Sequence, residues 1–193
     1  MASGLAKRFG SNKLLAEFDG KPLLCRAFAV TEGLNRVVVT RSTEVQALCE
    51  KYGIPVLPHA HPLRSDTVRL GLEYLLPRFP AMSGCVFLPG DQPLLTRKTL
   101  CGMVSAFCAE PDRKSQIFRL CEQSDTPGSP VLFGADYFEE LRSLPEGRGG
   151  GVVVKRHAEK VTLFPVRHSA ELMDADIPDV LAELKMIFQN DSF

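Results

Sequence analysis

Short apolar, β-branched runs alternate along this chain with stretches of helical periodicity, and that alternation restricts the fold more than any other feature. Arg36-Val37-Val38-Val39-Thr40 and Gly84-Cys85-Val86-Phe87-Leu88 have the length and continuous apolar character of buried parallel strands. Ile54-Pro55-Val56-Leu57 is a briefer strand that Pro55 assigns to a sheet edge. Residues 115–120 and 161–166 complete the strand-like set, and residues 44–52, 66–76, 100–108 and 177–188 read as helices. Within 66–76, Val68, Leu70, Leu72, Leu75 and Leu76 recur at helical spacing. Asp19-Gly20 marks a turn, after which Lys21-Pro22-Leu23-Leu24 opens an apolar helical stretch to Val30, with Pro22 in its first turn. The pattern is that of the α/β class, a mostly parallel sheet between helices. No repeat, low-complexity tract or linker divides the chain, so residues 1–193 are read as a single domain.

Composition narrows the partners. Twenty-three Lys and Arg balance 23 Asp and Glu, which removes the global field that nucleic acid or an anionic membrane would require. No apolar run is long enough to span a bilayer, and the N-terminus has no apolar secretory core. The six cysteines include no Cys-x-x-Cys pair and are expected as free thiols of a reduced, cytoplasmic protein. His59-x-His61 lies between prolines with no acidic third ligand nearby, which favours a loop over a metal pair.

Two segments carry chemistry. At the N-terminus, Gly4 and Gly10 stand among Lys7, Arg8 and Lys13, with Ala2, Ser3, Ala6 and Ser11 as small neighbours. Glycine permits close backbone approach, and successive N–H groups with fixed cations form an anion-binding concavity suited to a polyphosphate. It is neither a Walker loop nor a dinucleotide fingerprint, and a disordered basic tail is the alternative. In Leu88-Pro89-Gly90-Asp91-Gln92-Pro93, an apolar strand runs directly into an acid. Open α/β sheets bind ligands at the carboxyl ends of their strands, where Asp91 could hold Mg²⁺ while substrate phosphates and water complete its shell. The alternative is an ordinary strand-to-helix turn with Thr96 as the N-cap.

Gly-x-x-x-Arg-Phe-Gly-x-x-Lys-Leu-Leu, followed by Gly20-Lys21-Pro22-Leu23-Leu24, resembles the signature of the MobA-like nucleotidyltransferases, and within them the molybdenum cofactor cytidylyltransferases. The resemblance implies a Rossmann-like three-layer nucleotidyltransferase fold. It implies nucleotide contacts from Ala2, Ser3, Gly4, Arg8, Gly10 and Lys13, with Arg8 and Lys13 on the phosphates. Asp91-Gln92-Pro93 matches the metal-binding segment. The stretch 172–181 resembles the element that supplies a second acid, for which Asp176 is preferred over Asp174, although Asp176 could equally cap the last helix. Arg64-Ser65-Asp66-Thr67 aligns with the segment touching base and ribose, through Ser65 and Thr67, but Ser65 or Asp66 could equally cap a helix. Residues 128–133 and the glycine run 147–151, expected to be flexible, align with the acceptor side.

The implied reaction moves CMP from CTP to a molybdopterin-type acceptor with Mg²⁺ as cofactor. A molybdenum hydroxylase or its chaperone is the implied protein partner. Members of this family begin with an apolar strand before the glycine loop, whereas Met1 stands where that strand would end. The reading is therefore a chain truncated at its N-terminus, its first strand missing. Two other readings stay open: a sugar or alditol nucleotidyltransferase, and a non-catalytic accessory of molybdenum enzymes with a degraded site.

Overall fold

The structure, a computed structural model, describes residues 1, 2, 9 and 12–190. Its strands and α-helices follow in the order β1 (Glu17–Phe18), β2 (Lys21–Pro22), α1 (Leu24–Val30), β3 (Val38–Thr40), α2 (Thr43–Lys51), β4 (Val56–Pro58) and α3 (Arg64–Leu75). Then come β5 (Gly84–Phe87), α4 (Arg97–Ala109), β6 (Ile117–Cys121), β7 (Pro127–Gly134), α5 (Phe138–Arg142), α6 (Gly151–Arg156), β8 (Val161–Pro165) and α7 (Pro178–Asn190).

Asp19 and Gly20, with φ of 52° and 72°, make the tight turn that joins β1 to β2. Pro22 therefore ends a strand and does not open the first helical turn, as its spacing suggested; α1 starts at Leu24. β3 and β4 pair in parallel, with Val38 opposite Val56, and the strand containing Pro55's neighbours lies at an edge. The larger sheet has the order β5-β7-β6-β8. β6 and β8 run parallel, whereas β7 is antiparallel to both neighbours. β7 interrupts the parallel alternation and was not legible as a strand: Pro127, Gly128 and Pro130 disfavour the state, but pairing along both edges imposes it.

The period of two in this sheet decides which helices cover which face. Phe118, Leu120 and Leu132 pack with Leu100, Met103 and Phe107 of α4. Ile117 and Phe133 point the opposite way, against Val68 and Leu72 of α3, Leu141 of α5 and Val153 of α6. Helices thus lie on both faces of the sheet, and each fully buried large side chain among these contributes about 1.5–3 kcal/mol. A third cluster joins Phe18, Phe28, Val45, Cys49, Leu181 and Leu184 beside the hairpin. All six cysteines are unpaired thiols. Among the described residues, no helix is long and apolar enough to cross a membrane.

Met1 and Ala2 span the gap between the two sheets. The Ala2 N–H donates to the Val39 carbonyl (3.0 Å) and the Gly90 N–H to the Met1 carbonyl (3.1 Å). The Thr40 hydroxyl donates to the Ala2 carbonyl (3.0 Å), and the Met1 amine to the Leu88 carbonyl (2.6 Å). Beside this bridge lies a largely apolar cleft of about 550 Å³, walled by residues 37–39, residues 84–88 and side chains of α1, α3 and α4.

Gly134 closes β7 against the turn before β6, where a methyl group would sit 2.2 Å from the Lys114 carbonyl oxygen and 2.5 Å from that of Arg113. Backbone cannot swing aside, so Gly134→Ala is expected to cost about 3 kcal/mol, at the upper end for overpacking. A urea-denaturation midpoint equal to that of the parent chain would contradict this packing.

Candidate active site

Three segments far apart in sequence meet at the Lys13 ammonium. Lys13 begins a single 3₁₀ turn, Lys13–Leu15, whose preceding Asn12 is anchored twice. The Asn12 Oδ1 accepts from the Leu14 N–H (3.2 Å), and its Nδ2 donates to Ser42 Oγ (2.9 Å), the hydroxyl that caps α2. Leu14 is buried below, so the turn presents Lys13 in a fixed direction. The ammonium touches Asp91 Oδ2 and lies 2.6 Å from Asp176 Oδ1.

Asp91 leaves β5 in the turn that leads to α4. Asp176 precedes α7, a helix clasped onto the hairpin by Lys185–Glu17 (2.5 Å) and Phe18–Phe188 ring contact (centroids 5.3 Å), and onto α1 by Arg26 over Phe188 (4.6 Å). The two acidic turns also hold one another: the Ala175 N–H donates to the Asp91 carbonyl (2.9 Å), and Gln92 Nε2 donates to the Leu172 carbonyl (3.2 Å). Lys13 and Asp91 are mostly buried, at 13% and 18% side-chain exposure, whereas Asp176 is 60% exposed. A charge pair half out of water interacts more strongly than one on the open surface.

Burial pulls the Lys13 ammonium down, but its hydrogen bonds to Asp176 and Asp91 outweigh that effect and hold its pKa above the ordinary value. Burial, with the charges of Asp91 and Asp176 beside it, pushes the Asp174 carboxyl up to about 6, although its outer side is open to water. As for metal, Asp91 and Asp176 form an oxygen-only donor pair that already converges on one cation, the chain's own ammonium. Among the described residues, no group of three or more His, Cys, Asp or Glu surrounds a common point. Such a donor set fits a hard divalent ion that keeps water and substrate oxygens, and does not fit an all-protein cage.

Other expected site residues fall elsewhere. Ser3, Gly4, Arg8 and Gly10 lie outside the described residues. Ala2 is buried in the bridge to β3. Neither Ser65 nor Asp66 caps α3, because the helix begins at Arg64 behind Leu63; Ser65 Oγ instead accepts from the Gly147 N–H (3.3 Å). Among the described residues the buried Thr67 hydroxyl has no hydrogen-bond partner, and the residue lines the apolar cleft. Within the glycine run, Gly149 and Gly150 are packed, where a methyl would lie 2.8 Å from Arg64 Cδ and 2.9 Å from Phe133 Cζ, whereas Gly147 and Gly151 face open space. Thr96 caps α4 by accepting from the Thr99 N–H (3.1 Å), and Asp176 engages Lys13. The His59 and His61 rings stack with centroids 6.1 Å apart. Sequence reasoning missed Glu171, a buried carboxylate behind the acidic turns.

Residues 1–161 match the MobA-like NTP transferase domain, and the chain belongs to that family. A 3-deoxy-manno-octulosonate cytidylyltransferase of Chlorobium limicola is 29% identical over 127 residues, 60% of this chain and 49% of the relative. The chain thus spans about half the length of the curated relatives it matches. Rv0371c of Mycobacterium tuberculosis H37Rv superposes with a TM-score of 0.80 at 23% identity, covering 96% of this chain and 95% of that one. The same protein is known as a manganese complex (TM-score 0.74, 21% identity, 95% and 94% covered). The molybdopterin-guanine dinucleotide biosynthesis protein A of Archaeoglobus fulgidus gives 0.70 at 16% identity, over 98% and 97% of the two chains. These structural likenesses show the nucleotidyltransferase fold.

Asp174 sets a pH dependence with a definite sign. A carboxyl whose folded pKa lies above its unfolded value of ~3.9 stabilises the fold fully below that value, and the contribution is lost as pH rises through about 6. Asp174→Asn should therefore raise stability above pH 6 and leave it unchanged near pH 4. Urea midpoints at pH 4, 5, 6 and 7.5 test this, and a gain independent of pH would refute it.

Proposed function

We propose that this chain transfers CMP from CTP to the phosphate of a molybdopterin-type acceptor and releases pyrophosphate. The observation that carries the reading is the meeting of Lys13, Asp91 and Asp176 at one point beyond the end of β5. An ammonium beside two acids is the arrangement needed to receive a metal-bound triphosphate. The cytidylyltransferase relative supports CTP as donor, and the Archaeoglobus neighbour supports a molybdopterin acceptor.

The acceptor phosphate is an anion at neutral pH, so no protein nucleophile is required. One of its oxygens attacks the α-phosphorus, the new P–O bond forms, and the bond to the bridging oxygen breaks to release pyrophosphate. The chemistry demands charge neutralisation and alignment. Asp91 and Asp176 are the residues that would hold Mg²⁺, which when bound supplies positive charge to the phosphate oxygens. Lys13, protonated at neutral pH, transfers its hydrogen bonds from these acids to the leaving pyrophosphate. Arg8 and the backbone N–H groups of residues 4–10 are assigned to the same phosphates, and Ser65, beside the Gly147 turn, to the nucleoside side.

A second reading takes a sugar acid as acceptor, and the 3-deoxy-manno-octulosonate cytidylyltransferase relative favours it. Pyrophosphate release from CTP and Mg²⁺ is expected with molybdopterin; release only with 3-deoxy-manno-octulosonate selects the second reading. Preference for GTP or UTP over CTP would refute the donor assignment. No release with any acceptor would leave a non-catalytic accessory role. Asp91→Ala is expected to lower turnover on the order of 10²–10³-fold while the circular dichroism spectrum stays unchanged. Full activity in that variant would remove Asp91 from the site.

A further inference from the structure

Behind the two acidic turns lies a third carboxylate that the reaction does not use. Glu171 is 1% exposed, and among the described residues no Lys, Arg or His side chain forms an ion pair with it. Burying a carboxylate without a cation is costly unless hydrogen-bond donors surround it. Its donors come from two segments. Oε2 accepts from the Thr96 N–H (3.1 Å) and the Thr96 hydroxyl (2.9 Å), and Oε1 accepts from the Arg167 N–H (3.2 Å). Thr96 is also the N-cap of α4, so the negative charge sits at the positive end of a 13-residue helix.

The positions of these donors matter more than their number. Thr96 ends the turn that Asp91 opens. Glu171 ends one residue before Leu172, where the turn carrying Asp176 begins. Between those anchor points the turns are already joined by Gln92 to Leu172 and by Ala175 to Asp91. Glu171 is the charged closure of that ring of contacts. It touches neither Lys13 nor either acid directly, so any effect on the site passes through the separation of the turns.

We infer that Glu171 is a positioning residue that sets the spacing of Asp91 and Asp176, and hence the affinity of that pair for a divalent cation. The inference rests on the reading that these two carboxylates hold the metal. Supporting groups of this kind change metal affinity by about 10–100-fold when removed. Glu171→Gln keeps the shape and one acceptor but cannot accept from both Thr96 and Arg167.

Two readouts test it on the whole chain. Mn²⁺ alone, followed by loss of the free-ion electron paramagnetic resonance signal, should bind about tenfold more weakly to Glu171→Gln than to the parent. In the metal-free protein, amide hydrogen exchange at Ala175 should accelerate by about tenfold in the same variant, while Met103 within α4 keeps its protection. A variant with lower melting temperature but parental Mn²⁺ affinity, or parental exchange at Ala175, overturns the inference and reduces Glu171 to a helix cap. Should Glu171→Gln fail to fold, Thr96→Val must shift both readouts in the same direction and Thr96→Ser must restore them; otherwise the inference falls. A parent chain that takes up no more Mn²⁺ than Asp91→Ala refutes the metal reading itself, and exchange at Ala175 then decides the clamp separately.

Discussion

The Lys13 ammonium holds together parts of the chain as far as 163 residues apart. Without it, Asp91 would be a mostly buried carboxylate facing Asp176 and Asp174 with no cation between them among the described residues. Removing one member of a buried charge pair costs more than the pair contributes, because the partner is left uncompensated. The local structure is built to keep that ammonium in place. Asn12 ties its turn to the cap of α2, Leu14 sinks into the core, and α7 is pinned at its far end to the hairpin that follows Lys13. The site is a junction, and its charge balance is also a constraint on the fold.

How much of this could be read from sequence depends on whether the signal was local. The hairpin at Asp19-Gly20, the cap at Thr96 and the run from β5 into Asp91 each depend on a few adjacent residues, and all were visible. β7 was not, since its prolines and glycine deny local strand propensity and only the flanking strands supply the pairing. The cap offered for Ser65 as the alternative to a nucleotide contact does not form, because its partner is an amide 82 residues away. Gly149 and Gly150 suggested a loose segment, yet Arg64 and Phe133 pack where their side chains would be. Glu171 had no signal at all. In sequence it is an acid in a polar stretch, and its burial comes from Thr96, 75 residues away. Lys13 and Asp91 were each picked out through the family pattern and not through periodicity.

Two described borders of the crevice are therefore held by contacts within the chain itself. The acidic side is bonded turn to turn, and the start of α3 meets residues 147–149 through the Gly147–Ser65 hydrogen bond and the close approach of Arg64 to Gly149. Charges held in advance spare the reaction the cost of reorganising them. That economy explains why so few side chains are required.

The cleft beside Met1 and Ala2 has a mechanical meaning. Any part of this half-open apolar cleft that water leaves empty is volume that unfolding eliminates, and pressure favours the state without it. Hydrostatic compression acts on that difference directly, whereas heat acts on every contact at once. Among the described residues, Met1 and Ala2 carry the backbone hydrogen bonds across the cleft between β3 and the end of β5, so compression bears on that seam.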